Sequence, residues 1–231
     1  LLWRNLAKRR ENYGKLGERR ITSERDIKKG VAALIASCAH MARVHALAGD
    51  PPLRRRPPGF EGLARVIAGQ QLSVASAEAI WQRLQARVQP FAVAPFLAVP
   101  EDDLRRAGLS AAKISTLHGV AEAIDTGDLD LDALTNAPEV AIHEQLTALK
   151  GIGPWTADIY ILFCLGRPDA WSPGDLALQH AVRDALGLEA RPEPKQMVDI
   201  AEAWRPWRSV AARLLWAYYA VRKSQRLATP L

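Results

Sequence analysis

Cysteine is almost missing from this chain of 231 residues: Cys38 and Cys164 are its only two. Two thiols cannot build a disulfide framework, and they cannot supply the four thiolates of an iron–sulfur cluster. Both sit in apolar helical patterns and read as buried free thiols, which suits a reducing, cytoplasmic setting. Long apolar runs are lacking too, so no segment reads as a membrane span. The charged N-terminus has none of the apolar stretch of a secretory signal. The five histidines, His40, His45, His118, His143 and His180, show no i, i+4 pairing with acids that would mark a zinc site. No Walker loop and no Rossmann glycine fingerprint occurs, so neither a metal nor a nucleotide cofactor is expected. Strand-rich stretches and internal repeats are missing as well. What is present is 48% hydrophobic residues, arranged with helical periodicity, in a chain long enough for a substantial core.

Charge is plentiful but uneven. The sequence pI is about 9.6. Residues 1–56 hold 14 Lys and Arg against 5 Asp and Glu, whereas residues 57–231 hold 17 against 20. Any nucleic-acid contact by the larger part must therefore rest on local donors and not on net charge. The basic stretch Arg4 to Arg20 reads as a solvated tail or as a DNA-contacting arm.

About ten helices are expected. Ser23 caps a helix carrying Val31, Leu34, Ile35, Cys38, Met41 and Val44 on its apolar side. The prolines from Pro51 to Pro58 make an extended connector. Helices follow over 60–69, 73–88, 101–106 and 111–124, the last capped by Ser110, with a loop-rich break over 90–100. Further helices cover 138–149, 155–165, 176–186, 194–204 and 206–223. Pro138, Pro194 and Pro206 each suit a first helical turn.

Chemistry concentrates between Leu149 and Asp175. Gly151-Ile152-Gly153 is a tight turn between two helices. Such a turn bares backbone N–H groups at a helix N-terminus, ready for a phosphate oxygen. Ser172-Pro173-Gly174-Asp175 then closes a short loop and sets one carboxylate at the start of the next helix. An Asp there is also a good N-cap, and both glycines equally suit an ordinary tight turn.

Three segments, in this order, resemble the helix-hairpin-helix DNA glycosylases. The hairpin followed by Asp175 is the family's signature. Gly59-Phe60-Glu61-Gly62-Leu63 through Gly69-Gln70-Gln71-Leu72-Ser73-Val74-Ala75 looks like the start of the catalytic core in the 3-methyladenine DNA glycosylase II branch. Ala201-Glu202-Ala203-Trp204-Arg205-Pro206-Trp207-Arg208-Ser209 looks like its last long helix and the turn before it. The likeness covers roughly residues 22–222. It implies an all-α fold of two helical subdomains with a DNA-binding groove between them, spanning residues 22–231, with the hairpin near 149–155. Residues 1–21 are left as the basic tail. The branch carries a β-rich N-terminal domain for which this chain offers no room, so a compact form is expected. The implied partner is double-stranded DNA containing damaged bases, met by a monomer in the bacterial cytosol or nucleoid, with no membrane.

The resemblance also implies roles. Asp175 is the catalytic carboxylate, stabilising an oxocarbenium-like sugar and orienting a water. A cationic methylated purine leaves without a general acid, so one carboxylate suffices. Members that form a Schiff base carry Lys where this chain has Trp155, and Lys150 lies before the hairpin; simple hydrolysis follows. Trp155 and Trp216 line a base pocket, where an indole face attracts a cationic base. Core packing is the competing reading for both. Ile159 stands where a relative has Tyr, making one wall of that pocket aliphatic. Gly151, Gly153 and Thr156 contact the DNA backbone, where hairpin carbonyls in the family also hold a monovalent cation. Gln71 falls at the position of the wedge that fills the vacated base stack, with Leu72 beside it, or else Leu72 belongs to the core. Excision of another damaged base such as hypoxanthine, and a non-catalytic DNA-binding module, remain as alternatives.

Overall fold

The computed structural model describes residues 20–228. Among them are thirteen α-helices, one 3-10 turn and no strand, and no helix is long and apolar enough to cross a membrane. The helices group into two units. One takes the residues up to Arg55 together with those from Gly166 onward; the other is Arg56–Leu165.

The discontinuous unit begins with α1 (Glu24–Ser37) and α2 (Ala39–Ala48) and is completed by α11 (Leu176–Leu186), α12 (Pro194–Ala201), the 3-10 turn Glu202–Trp204 and α13 (Arg208–Ala228). Ser23 starts α1 with a capping box: its Oγ accepts from the Asp26 N–H and the Asp26 carboxylate accepts from the Ser23 N–H. This reciprocal arrangement satisfies donors that a helix start leaves open. The apolar face of α1 (Ile27, Val31, Leu34) and that of α2 (Met41, Val44) are buried, and both helices pack on α13. In the same core Trp171 and Trp204 meet edge-on, with ring centroids 5.4 Å apart. The Trp171 indole N–H donates to Met197 O at 3.2 Å, so the large ring is buried without orphaning its polar atom.

The inserted unit holds α3 (Gly59–Ala68), α4 (Val74–Gln85), α5 (Val93–Leu97), α6 (Glu101–Ala107), α7 (Ala111–Asp125), α8 (Leu131–Leu134), α9 (Glu139–Thr147) and α10 (Pro154–Phe163). Its core is built on Trp81, Phe96, Leu63, Leu104, Leu117 and Tyr160, all fully buried. Phe60 packs edge-on against Phe96 at 5.4 Å. The Tyr160 hydroxyl accepts from the Gly59 N–H at 3.0 Å, fixing the start of α3 against α10. Burial drives the phenol pKa strongly upward, so this hydroxyl stays protonated.

Several local expectations are corrected. The first expected helix is two, because Cys38 is extended (φ −143, ψ 111). The Ser37 hydroxyl turns back to Ala33 O and Leu34 O just before the break, the kind of competition with the helix that Ser offers. Cys38 is consequently half-buried and not a core thiol, whereas Cys164 is buried and its thiol is pushed up to about 12 by that burial. The break over 90–100 contains α5, and α8 adds a turn where none is expected. Pro206 does not open the last helix: it follows a cis peptide bond, and α13 starts at Arg208. The tail expected over 1–21 lies mostly outside the described residues. Its last member, Ile21, is 1% exposed and donates its N–H to Gly166 O at 2.7 Å.

Candidate active site

In the inserted unit α9 and α10 flank the glycine turn. The turn is closed by the Ile152 N–H donating to Leu149 O at 3.1 Å, and the Ile152 side chain is buried beneath it. His143 Nε2 lies 3.4 Å from Asp158 Oδ1, linking α9 to α10. The two glycines turn out to be unlike. Gly151 has φ +87, and a Cβ there would sit 1.9 Å from Thr116 Oγ1. Gly153 has φ −94 and ψ 174, which any residue adopts. A Cβ on Gly153 would meet nothing within 4 Å, and the residue is exposed. Folding therefore requires glycine at 151 and not at 153. What a bare backbone at 153 provides is close access to its own N–H, at the N-cap of α10, where Pro154 carries no N–H and the Thr156 and Ala157 N–H groups already donate to Gly153 O.

The loop joining α3 to α4 belongs to the same unit. Gln71 has φ +57, a left-handed conformation costly for a side chain-bearing residue. It is exposed, and Leu72 and Val74 beside it are 40% and 74% exposed. Leu72 is thus not a core residue. Gln71 thus holds a strained backbone beside two uncovered aliphatic side chains. Gln71→Gly is expected to leave stability within about 1 kcal/mol, since relief of left-handed strain, about 1–2 kcal/mol, offsets the backbone entropy glycine adds. Gln71→Val should be clearly less stable. Denaturant unfolding measures both; a loss above about 2 kcal/mol for Gln71→Gly would show that the side chain holds the loop.

Two residues that sequence reasoning did not single out secure this loop. The Gln70 carboxamide donates to Thr156 Oγ1 at 2.9 Å and to Gly151 O at 3.3 Å. Lys113 on α7 donates through Nζ to Ala68 O and Gln70 O, each at 2.8 Å. Thr156, expected at the DNA backbone, is 2% exposed, and its hydroxyl accepts from Gln70 inside the unit. Trp155 is half-buried and Ile159 is 4% exposed, one turn apart on α10.

The carboxylate lies in the other unit. Asp175 is the N-cap of α11, and its Oδ1 accepts from the Leu178 N–H at 2.8 Å. The same oxygen accepts from the Trp216 indole N–H on α13 at 3.1 Å. Asp175 is 8% exposed. A cap needs one backbone N–H and solvent; this carboxylate is instead buried, at the positive end of a helix dipole, and oriented by an indole from a second helix. Trp216, expected as a pocket wall, is thus also the group that fixes the acid. Gln179 holds the loop before Asp175 by donating its amide to Pro173 O at 2.9 Å. Among the described residues no three His, Cys, Asp or Glu side chains stand together as metal ligands.

An all-helical fold with a glycine hairpin in one unit and a buried, helix-capping carboxylate in the other defines a class, and comparison with known proteins narrows it. A family model described as "HhH-GPD superfamily base excision DNA repair protein" matches residues 64–206. DNA-3-methyladenine glycosylase 1 of Schizosaccharomyces pombe is 31% identical over 164 residues, 68% of this chain and 71% of its own length. The DNA-3-methyladenine glycosylase of Bacillus subtilis is 26% identical over 172 residues, and there the match covers 69% of this chain but only 57% of the relative. Among solved structures, Schizosaccharomyces pombe 3-methyladenine DNA glycosylase (Mag1) in complex with abasic DNA superposes with a TM-score of 0.76 at 28% identity, covering 87% of this chain and 98% of that one. The chain belongs to the HhH-GPD superfamily of base excision DNA repair proteins.

Proposed function

We propose that this protein is a monofunctional DNA glycosylase that hydrolyses the N-glycosidic bond of alkylated purines, 3-methyladenine and 7-methylguanine, in double-stranded DNA. The observation that carries the reading is the Asp175 carboxylate, buried yet bonded by a helix N–H and an indole N–H to the same oxygen. A fixed, desolvated negative charge is what an oxocarbenium-like sugar requires. The C1′–N bond breaks with its electrons passing to the base. An alkylated purine is already cationic, so it departs neutral. Water supplies the new C1′–OH and loses a proton. Asp175 stabilises the charge at C1′ and orients that water.

The other parts have matching tasks. The Gly153 N–H, at the N-cap of α10, holds a phosphate at the positive end of that helix. Gln71 and Leu72 fill the stack when the damaged nucleotide turns out. Trp155 and Ile159 receive the base, the Trp155 indole face favouring a cationic one, while Trp216 orients Asp175 within its own unit. A monovalent cation at the hairpin carbonyls would share Gly151 O with the Gln70 amide, and no step here depends on it. Residue 155 is Trp, so no amine stands ready to form an imine with the sugar.

Duplexes bearing single 3-methyladenine, 7-methylguanine or hypoxanthine lesions test this. Alkylated bases should be released, strands should break only after alkali, and borohydride should trap no covalent adduct. A trapped adduct would overturn the hydrolytic route. Release of hypoxanthine alone would reassign the substrate. Firm DNA binding with no release from any duplex would leave a backbone-binding module.

A further inference from the structure

The loop that carries Gln71 is held from both sides by side chains that the chemistry above does not use. We propose that Gln70 and Lys113 are positioning residues that lock the Gln71–Leu72 loop to the glycine hairpin, so that a duplex held at the hairpin finds the loop already placed for insertion. The inference rests on the DNA-binding reading of both elements.

Geometry within the inserted unit carries it. Gln71 sits at φ +57, and a strained residue persists only where its surroundings over-determine it. The residue before it is fixed at two points. Its carbonyl accepts from Lys113 Nζ at 2.8 Å, and its carboxamide reaches Thr156 Oγ1 at 2.9 Å and Gly151 O at 3.3 Å. Gly151 in turn lies so close to Thr116 that it has no room for a Cβ, so the anchor at the far end is closely packed. Lys113 also grips Ala68 O at 2.8 Å, one of the carbonyls that the end of α3 leaves open. Lys113 is half-buried, and among the described residues it forms no ion pair. Burial lowers its pKa. A cation has thus been partly desolvated to hold two neutral carbonyls. The end of α3 does not need it for closure, because the Gly69 N–H already donates to Arg65 O and Val66 O. What the lysine adds is the position of the residue that leads into Gln71.

Binding by fluorescence anisotropy separates this role from mere structure. A duplex containing an abasic-site analogue requires insertion from the loop, whereas an undamaged duplex engages the hairpin alone. Gln70→Leu and Lys113→Met should each weaken the abasic-site duplex by roughly 10-fold, the scale of one or two lost hydrogen bonds. Binding to the undamaged duplex should stay within about 2-fold. Lys113→Arg should recover most of the loss. Because Gln70 acts through the loop, Gln70→Leu combined with Leu72→Ala should bind the abasic-site duplex no more weakly than Leu72→Ala alone. Equal weakening on both duplexes, strictly additive losses, or no loss at all would overturn the proposal. Gln70 is half-exposed, so its replacement leaves the core intact and melting temperature serves as the check. A wild-type protein that excises no lesion would sink the glycosylase reading while the contrast between duplexes still decided this one.

Discussion

Asp175→Asn is expected to melt with the parent and to bind abasic-site DNA as well, yet to excise at least ~10²-fold more slowly, the usual loss when a key electrostatic stabiliser is removed. The bonds from the Leu178 N–H and the Trp216 indole both arrive at Oδ1. An Asn carbonyl in that place accepts both, and Asn caps helices as well as Asp does. Shape, cap and indole contact survive while the charge disappears. Single-turnover excision of 7-methylguanine, measured beside thermal melting, separates the roles. Near-normal excision would return Asp175 to capping alone. A large fall in melting temperature would show that the charge serves the fold.

The second large effect is a contrast between two glycines that look equivalent in the sequence. Gly151→Ala should destabilise by about 2–5 kcal/mol, combining the left-handed backbone penalty with overpacking against Thr116. For a chain of this size that lowers the melting temperature by roughly 10 °C. Gly153→Ala meets no neighbour and needs no unusual φ, so its melting temperature should not fall. Its methyl group instead stands where a phosphate would approach the residue 153 N–H at the start of α10, and binding to any duplex should weaken. Equal loss of stability at both positions would contradict the geometry. Unchanged DNA affinity for Gly153→Ala would remove the hairpin from the binding surface.

Much of this is legible in the sequence. The Ser23 and Ser110 caps, the helix at 176–186 and Asp175 at its start follow from local rules about donors and dipoles. Other features carry no local signal. Trp216 and Asp175 are 41 residues apart, and Gln70 and Thr156 are 86 apart; no spacing in the sequence announces such pairs. Thr156 shows the same limit: its position beside the hairpin is visible in the sequence, and its burial and its bond to Gln70 are not. Helical periodicity carried α1 straight into α2 because Cys38 is apolar enough to continue the stripe, although its backbone is extended. The strain at Gln71 is equally silent, since Gln has no particular liking for φ above zero.

The order in which the two units occur along the chain has a consequence for its synthesis. The unit holding Asp175 is split, with 56–165 inserted between its halves. A ribosome therefore releases α1 and α2 long before α13, on which both pack. At translation rates of about 5–20 residues per second, Ile27, Leu34, Met41 and Val44 wait on the order of ten seconds for the helix that covers them. The inserted unit has its entire sequence available by then and can fold first. The carboxylate is thus set in place last, when α13 brings Trp216 to Asp175, and in the nascent chain the hairpin unit precedes it.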